Sequence, residues 1–437
     1  MKTILKSDKS QTTRLFSNLE LYDNKLNHQP GSVLGSTALV AGTTVGAGIL
    51  ALPAFTLSSG IIPSTILLIG VWLYALISAL LIAEVTLNTI LTQGRPSSSF
   101  LIIVQDTLGS VEARIASIAY LFLHYALLIA YVAQGGELLV EAISKFLGVQ
   151  HALPSWVGTT TFILVFGSIM YLGREKFIEK LNSAFMAIVV ASFLGLLFLG
   201  VTQINPGQFF FQDWRALPPT VSVMLVALFY HNIIPVIVTQ LEGDVCKIRR
   251  SIIIGSAIPL IMFIAWNAVI LASVNPDMLE GVLSGTKIFD PLQVLRNGGA
   301  GEWLGALVSI FSEFAIATSF IGFVYGLRNF FMNMSNTSIR YTSERLSIYG
   351  LILFPPMSLG ALNPNIFFNA LDYAGTFSIS LLGGIIPAVM AWKQREQQNN
   401  PSKMNLIFVP GGKSTLVIMV AVAFALIMRQ LNLAIKL

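Results

Sequence analysis

Gly42, Gly46 and Gly48, interleaved with Thr43 and Thr44, crowd the middle of the apolar run GSVLGSTALVAGTTVGAGILALP. A glycine costs a helix interior about 1 kcal/mol relative to alanine, and β-branched threonine adds a little. Two readings fit this pattern. Gly42 and Gly46 could let two helices pack closely, as small residues four apart do in membranes. Alternatively the helix breaks, which at membrane depth is tolerated only where the backbone lines a protected cavity. The freed N–H groups of Val45, Gly46, Ala47 and Gly48 would then start a second half-helix and hold a carboxylate, aided by its dipole.

A second run, VSVMLVALFYHNIIPVIVTQLEGD, places His231 and Asn232 at its centre and Pro235 just beyond. Proline is costly inside a helix but suits the first turn of a new one. The spacing predicts two half-helices joined around residues 229–234. Carbonyls near Leu228 and Phe229 would face an ammonium group, with Tyr230 and His231 lining the pocket. The alternative is a simple proline kink with the imidazole satisfied by a neighbour. Two interruptions, four intact segments apart, match a transporter of two inverted five-helix repeats with its substrate near the midplane. Carboxylate on one break and ammonium on the other describe a site for a zwitterion.

Ionisable groups inside apolar runs are functional candidates by default. Glu313 lies near the middle of such a run, where ionisation is costly, and that suits reversible protonation. A permanently paired strut is the bland alternative. Thr318 and Ser319 offer hard oxygens that would suit a sodium ion instead. Tyr131 either packs in the core or caps a carboxylate. Glu84 sits nearer a helix end, where an interfacial or gating pair is expected, and Glu137 reaches toward water. His124 and Asp372 line the pathway or bond locally.

Other chemistries find no support. No nucleophile–base pair or cluster of metal ligands stands out, so no enzyme, cofactor or metal site is expected. The single cysteine, Cys246, has no disulfide partner. PGGKST at 410–415 resembles the end of a phosphate loop, but the required first glycine is Ile407 and no strand precedes it. Lys413 reads as a cytoplasmic anchor.

The elements that must position these residues are membrane helices. The chain has 437 residues, 54% apolar and only 11% charged, with a mean hydropathy of +0.75. Soluble domains carry roughly a quarter charged residues. The net charge of +5 is modest and its placement does not suggest nucleic acid. A span needs roughly 20 apolar residues. Segments that qualify lie near 32–56, 61–90, 115–143, 155–173, 178–202, 219–241, 250–273, 302–330, 347–362, 366–392 and 414–435. With the N-terminus cytoplasmic, all of the 26 Lys and Arg fall inside except Lys145, Arg215, Lys287, Arg296, Arg429 and Lys436. The positive-inside rule therefore predicts an internal N-terminus and an external C-terminus. Residues 1–31 read as a disordered or loosely surface-bound cytoplasmic tail. The transporter domain covers 32–437, with repeats near 32–202 and 219–392 and an extra helix at 414–435. The loop at 274–301 is expected to form a small external lid, and the stretch after the second span to lie along the cytoplasmic interface.

At LGSTALVAGTTVGAGILALP (34–53) the chain resembles the aromatic amino acid permeases of the amino acid–polyamine–organocation superfamily. Ala83–Glu84–Val85, Tyr125–Ala126–Leu127, Ala130–Tyr131 and Gly136–Glu137–Leu138–Leu139 continue the resemblance, as do IIGSAIPL (253–260), ATSFIG (317–322), FPP (354–356) and IIP (385–387). It spans about 34–430. It implies an inverted-repeat fold, uptake of tyrosine or tryptophan, proton coupling and an acidic residue where Glu313 stands. One departure is visible. The family's glycine-containing FGFHG-like junction is replaced here by LFYHN, which keeps only His231 and the later Pro235. Phe229, Tyr230 and Asn232 are larger than glycine and would narrow the pocket.

The expectation is thus an all-α membrane protein of about eleven spans that imports an amino acid across a plasma or bacterial inner membrane. A sodium-coupled symporter for neutral amino acids and a non-transporting sensor on the same fold are its rivals. The residues leave the oligomeric state open.

Overall fold

The computed structural model describes residues 15–22, 25–28, 30–46, 48–94, 99–147, 154–273, 290–296, 301–335, 342–363, 366–397 and 406–435. Ala47, residues 1–14 and most of the 274–301 loop lie outside them. In lipid every backbone N–H and C=O must find an internal partner, so apolar runs of this length fold as helices. Among the described residues ten helices are long and apolar enough to cross a membrane, and a bent pair near the N-terminus, counted as one span, makes an eleventh.

Span 1 is the pair Val33–Thr44 and Gly48–Thr56, followed by span 2 at Ile61–Gln93 and span 3 at Ser110–Ser144. Spans 4 to 6 are Ser155–Leu172, Glu175–Gly200 and Thr220–Gln240. Spans 7 to 9 are Val245–Ser273, Glu302–Met334 and Arg345–Leu362, and spans 10 and 11 are Ile366–Glu396 and Gly412–Leu433. All eleven coincide with the hydropathy segments to within a few residues. Span 9 stays helical through Pro355 and Pro356. Two spans widen locally into π-helix, span 4 at Ile163–Gly167 and span 10 at Ala374–Ile385.

Packing places the broken spans inside. The first half of span 1 lies on span 7, and its second half crosses the first half of span 6. Span 3 touches spans 4, 8, 9 and 10, while span 8 packs along span 5. Outward faces such as Leu164, Leu172, Phe198 and Phe424 are exposed and apolar, as lipid requires.

The structure adds detail at two places. In the segment read as a disordered or loosely surface-bound tail, strands Leu19–Tyr22 and Lys25–His28 form an antiparallel hairpin. This strap is tied to the end of span 6. Leu15 donates its N–H to the Glu242 carbonyl at 2.8 Å, and Asn18 donates its N–H to Glu242 Oε1 at 2.6 Å. At the opposite end, the described part of the 274–301 loop forms a short helix, Pro291–Arg296, against span 8 and the second half of span 1. Its Arg296 side chain is buried between Asp290 at 3.5 Å and Glu141 at 3.7 Å. Burial pushes the Asp290 carboxyl above the usual carboxylate range, against the pull of Arg296. The stretch after span 2 contains the helix Phe100–Thr107.

Candidate functional site

Span 1 bends by 53° between its halves. Val45 leaves the helix with extended torsions (φ −74°, ψ 97°), its N–H still bonded to Ala41 O at 2.9 Å. Close packing explains Gly46 and Gly48 but not Gly42. A side chain at Gly42 would meet nothing within 4 Å, so this position lies against no neighbouring helix. Gly46 differs: a Cβ there would sit 2.7 Å from Ser319 Oγ of span 8. Gly48 lies against span 6, where a Cβ would approach Ala227 Cα to 3.0 Å. The glycines thus permit a break pressed between spans 6 and 8. The leading amides of Gly48–Thr56 have no intrahelical acceptors, and Ile49 N–H is bonded to Gly46 O at 3.2 Å. Thr43 and Thr44 turn their hydroxyl protons onto their own helix, to carbonyls of Leu39 and Val40.

Span 6 unwinds where the sequence predicts. The helix Thr220–Ala227 ends at Leu228, residues 229–230 are non-helical, His231–Ile233 is a 3-10 turn, and Ile234–Gln240 resumes with Pro235 in its first turn. Phe229 and Tyr230 stack on His231, with ring centroids 5.0 Å and 5.4 Å away. The imidazole is 3% exposed and faces Gly383 in the π-helical part of span 10. Neither of its nitrogens has a well-formed hydrogen bond; the backbone of Ala75 approaches without completing one. The Tyr230 hydroxyl, near Ser256, and Asn232 Oδ1 are likewise buried without a well-formed bond. A buried polar group left unsatisfied costs roughly 1–3 kcal/mol. Several such groups cluster around this one helix break.

Spans 3 and 8 form the opposite wall. Tyr131 is buried edge-on to Phe323, centroids 5.7 Å apart, and makes no hydrogen bond to a described residue. Thr318 and Ser319 both donate to the Ala315 carbonyl. Glu313 is part-buried and has no hydrogen-bond or ion-pair partner among the described residues. It does not share a face with Ser319. Six residues amount to about 9 Å of rise and a rotation of about 120° between the two side chains. The structure therefore brings Gly46, Gly48, Ala227 and Ser319 together and sets Glu313 on a neighbouring face. Sequence reasoning passed over Ser312, whose buried hydroxyl is unpartnered. A serine in an apolar helix usually bonds back to its own turn, so nothing in the sequence distinguished it.

Three other candidates have structural partners. Glu84 forms a two-pronged ion pair with Arg395 at 2.7 and 2.8 Å and accepts the Phe408 N–H at 2.8 Å. Asp372 accepts from Ser222 and from Gln430. His124 uses Nδ1 on the Tyr120 carbonyl at 2.8 Å, and its Nε2 lies against Gly326 of span 8. Glu137 is exposed, as expected. Lys413 does anchor its helix, through Glu396 at 3.2 Å and the Trp392 ring. Among the described residues no group of three or more His, Cys, Asp or Glu could hold a metal ion.

Residues 29–430 match the tryptophan/tyrosine permease family. The chain is 29% identical to the tyrosine-specific transport system 1 of Haemophilus influenzae, over 88% of this chain and 93% of that protein. It is 27% identical to the tryptophan-specific transport protein of Pseudomonas aeruginosa, covering 85% and 88% of the two. A more distant relative, at 24% identity over 91% and 99%, is the glutamine transporter 2 of Aliivibrio fischeri.

Proposed function

Because the chain belongs to the tryptophan/tyrosine permease family, we propose that it imports tyrosine or tryptophan by proton symport with alternating access. The observation that carries this reading is the pair of interruptions in spans 1 and 6, packed on each other at Gly48 and Ala227. The substrate carboxylate sits on the amides from Val45 to Gly48, including Ala47, and its ammonium on carbonyls near Leu228 and Phe229. Each charge then meets the helix end of opposite sign. Tyr131, Tyr230 and His231 surround the side chain, and the substrate offers partners to the polar groups at the span 6 break that lack a well-formed bond.

Glu313 is the proposed coupling group, since it is an intramembrane carboxylate without a cation beside it among the described residues. Because Glu313 lies off the face that meets Gly46, we place it on the proton path and not in contact with substrate. The N-terminus is cytoplasmic and the C-terminus external, as the distribution of basic residues requires.

Uptake of labelled tyrosine, tryptophan and glutamine into proteoliposomes tests the reading. An inward proton gradient without sodium should drive accumulation of an aromatic substrate, and an uncoupler should abolish it. Accumulation that requires external sodium at fixed pH would reassign the coupling to Thr318 and Ser319.

A further inference from the structure

The second half of span 6 closes on a left-handed cap. Glu242 donates its N–H to the Thr239 carbonyl at 3.2 Å, and Gly243 donates to the Val238 carbonyl at 3.0 Å. Helices that end this way usually place glycine at the left-handed position. Here it is Glu242, at φ 54°, the one non-glycine residue with positive φ among the described residues. A tolerated backbone outlier of this kind points to a task for its side chain. Glu242 is buried, at 4% exposure, and its carboxylate faces the N-terminal strap. Asn18 donates its N–H to Oε1 at 2.6 Å, and His28 Nε2 lies 2.6 Å from the same oxygen.

The strap also takes the last carbonyls of the helix. Gly31 donates to the Gln240 carbonyl at 3.1 Å, and Asn18 Nδ2 donates to the Thr239 and Gln240 carbonyls at 3.1 and 3.2 Å. Leu15 donates its N–H to the Glu242 carbonyl at 2.8 Å, and its side chain would meet a Cβ on Gly243 at 2.9 Å. Two residues beyond Gly31 the chain enters the first half of span 1 at Val33. One segment thus brackets the ends of both broken spans on the same side of the protein. The side-chain bonds of the strap are part-buried or exposed, so water can take their place when they part.

We propose that the strap is an inner latch: docked on Glu242 it holds the cytoplasmic halves of spans 1 and 6 together, and it undocks for the amino acid to leave inward. The inference rests on the transport reading and the cytoplasmic N-terminus given above. Alternating access requires those halves to part, and the bonds at Gln240 and Glu242 must break for that to happen.

A cross-link in the full chain tests it. A Cβ on Gly243 falls 3.1 Å from Leu15 Cβ, near the separation of about 3.5–4.5 Å found in disulfides. Leu15→Cys with Gly243→Cys, in a Cys246→Ser background, therefore closes the latch covalently on oxidation. Uptake of labelled L-tyrosine or L-tryptophan into proteoliposomes should then fall at least about tenfold. Binding from outside should persist, and dithiothreitol should restore uptake. Glu242→Gly opens the latch instead, because glycine keeps the left-handed backbone and deletes the carboxylate. Downhill efflux of preloaded substrate should run about twofold to fivefold faster, whereas a merely loosened fold would slow it. Undiminished uptake with the cross-link formed, or efflux unchanged or slowed in Glu242→Gly, overturns the latch while the transport reading stands. Binding of neither amino acid to the unsubstituted chain would overturn both.

Discussion

Glu84 and His231 are both buried within apolar helices, at 1% and 3% exposure, yet their surroundings are opposite. The Glu84 carboxylate is fully engaged. Arg395 grips both carboxylate oxygens, the Phe408 amide adds a third bond, and Arg395 also reaches the Val409 carbonyl at 3.2 Å. The knot ties span 2, the end of span 10 and the approach to span 11 into one body. Around His231 the backbone is unwound, and neither ring nitrogen, the Tyr230 hydroxyl nor Asn232 Oδ1 completes a well-formed hydrogen bond among the described residues. A buried polar group that is fully bonded holds structure, whereas one left without a well-formed bond in a native fold calls for an explanation, which the proposed substrate would supply here. The comparison separates architecture from function without appeal to where the charges happen to be.

Breaking the knot should have the largest effect. Arg395→Ala leaves a carboxylate stranded among helices, and loss of one partner from a buried pair costs about 3–5 kcal/mol. The variant should fail to yield folded, monodisperse protein, or melt many degrees lower, whatever ligand is present. Next comes Gly46→Ala, whose new methyl meets Ser319 Oγ at 2.7 Å. Uptake should fall at least about tenfold with little change in melting temperature, and Ser319→Ala in the same chain should restore much of it. Failure of that rescue would mean that the two residues are not opposed across the site.

His231→Phe sharpens the contrast further. Removing an unsatisfied polar group is close to neutral for stability, so the melting temperature should hold or rise while substrate binding is lost. Glu313→Gln should abolish accumulation against a gradient yet preserve exchange of internal for external substrate. Uphill transport by that variant would remove Glu313 from the coupling step. The smallest effect belongs to Thr56→Val. The Thr56 hydroxyl donates to Asn267 Oδ1 at 2.7 Å, and Asn267 donates to Ser64 at 3.1 Å. This satisfied network joins spans 1, 2 and 7, so the loss should be about 1 kcal/mol, seen in thermal unfolding and not in substrate affinity.

Much of this was legible in the residues. Hydropathy located all eleven spans, because length and apolarity alone decide whether a segment can cross. The breaks were legible for a different reason: Gly46 and Pro235 are backbone statements that hold in any surroundings. What the sequence could not express was partnership at a distance. Glu84 and Arg395 are separated by 311 positions, and no local pattern links them. The strap was missed because it docks chiefly through backbone groups and a few polar side chains, with no hydrophobic periodicity to announce it. The π-helical stretch Ala374–Ile385 is similarly silent. It is a response to crowding, with Gly375 against the Ser222 carbonyl and Gly383 accepting from Ser78. Glu313 was legible as an intramembrane acid, but its face on the helix relative to Ser319 needed the neighbours to be known.

The central claim is that spans 1 and 6 are open at residues 45–49 and 228–233 and are closed by an amino acid. Hydrogen–deuterium exchange of the purified protein, with and without tyrosine or tryptophan, tests it most directly. The amides of both junctions should exchange quickly in the empty protein and become protected together on binding, while those of span 2 near Glu84 stay slow throughout. Slow exchange at both junctions without ligand, or protection unchanged by either amino acid, would contradict the account.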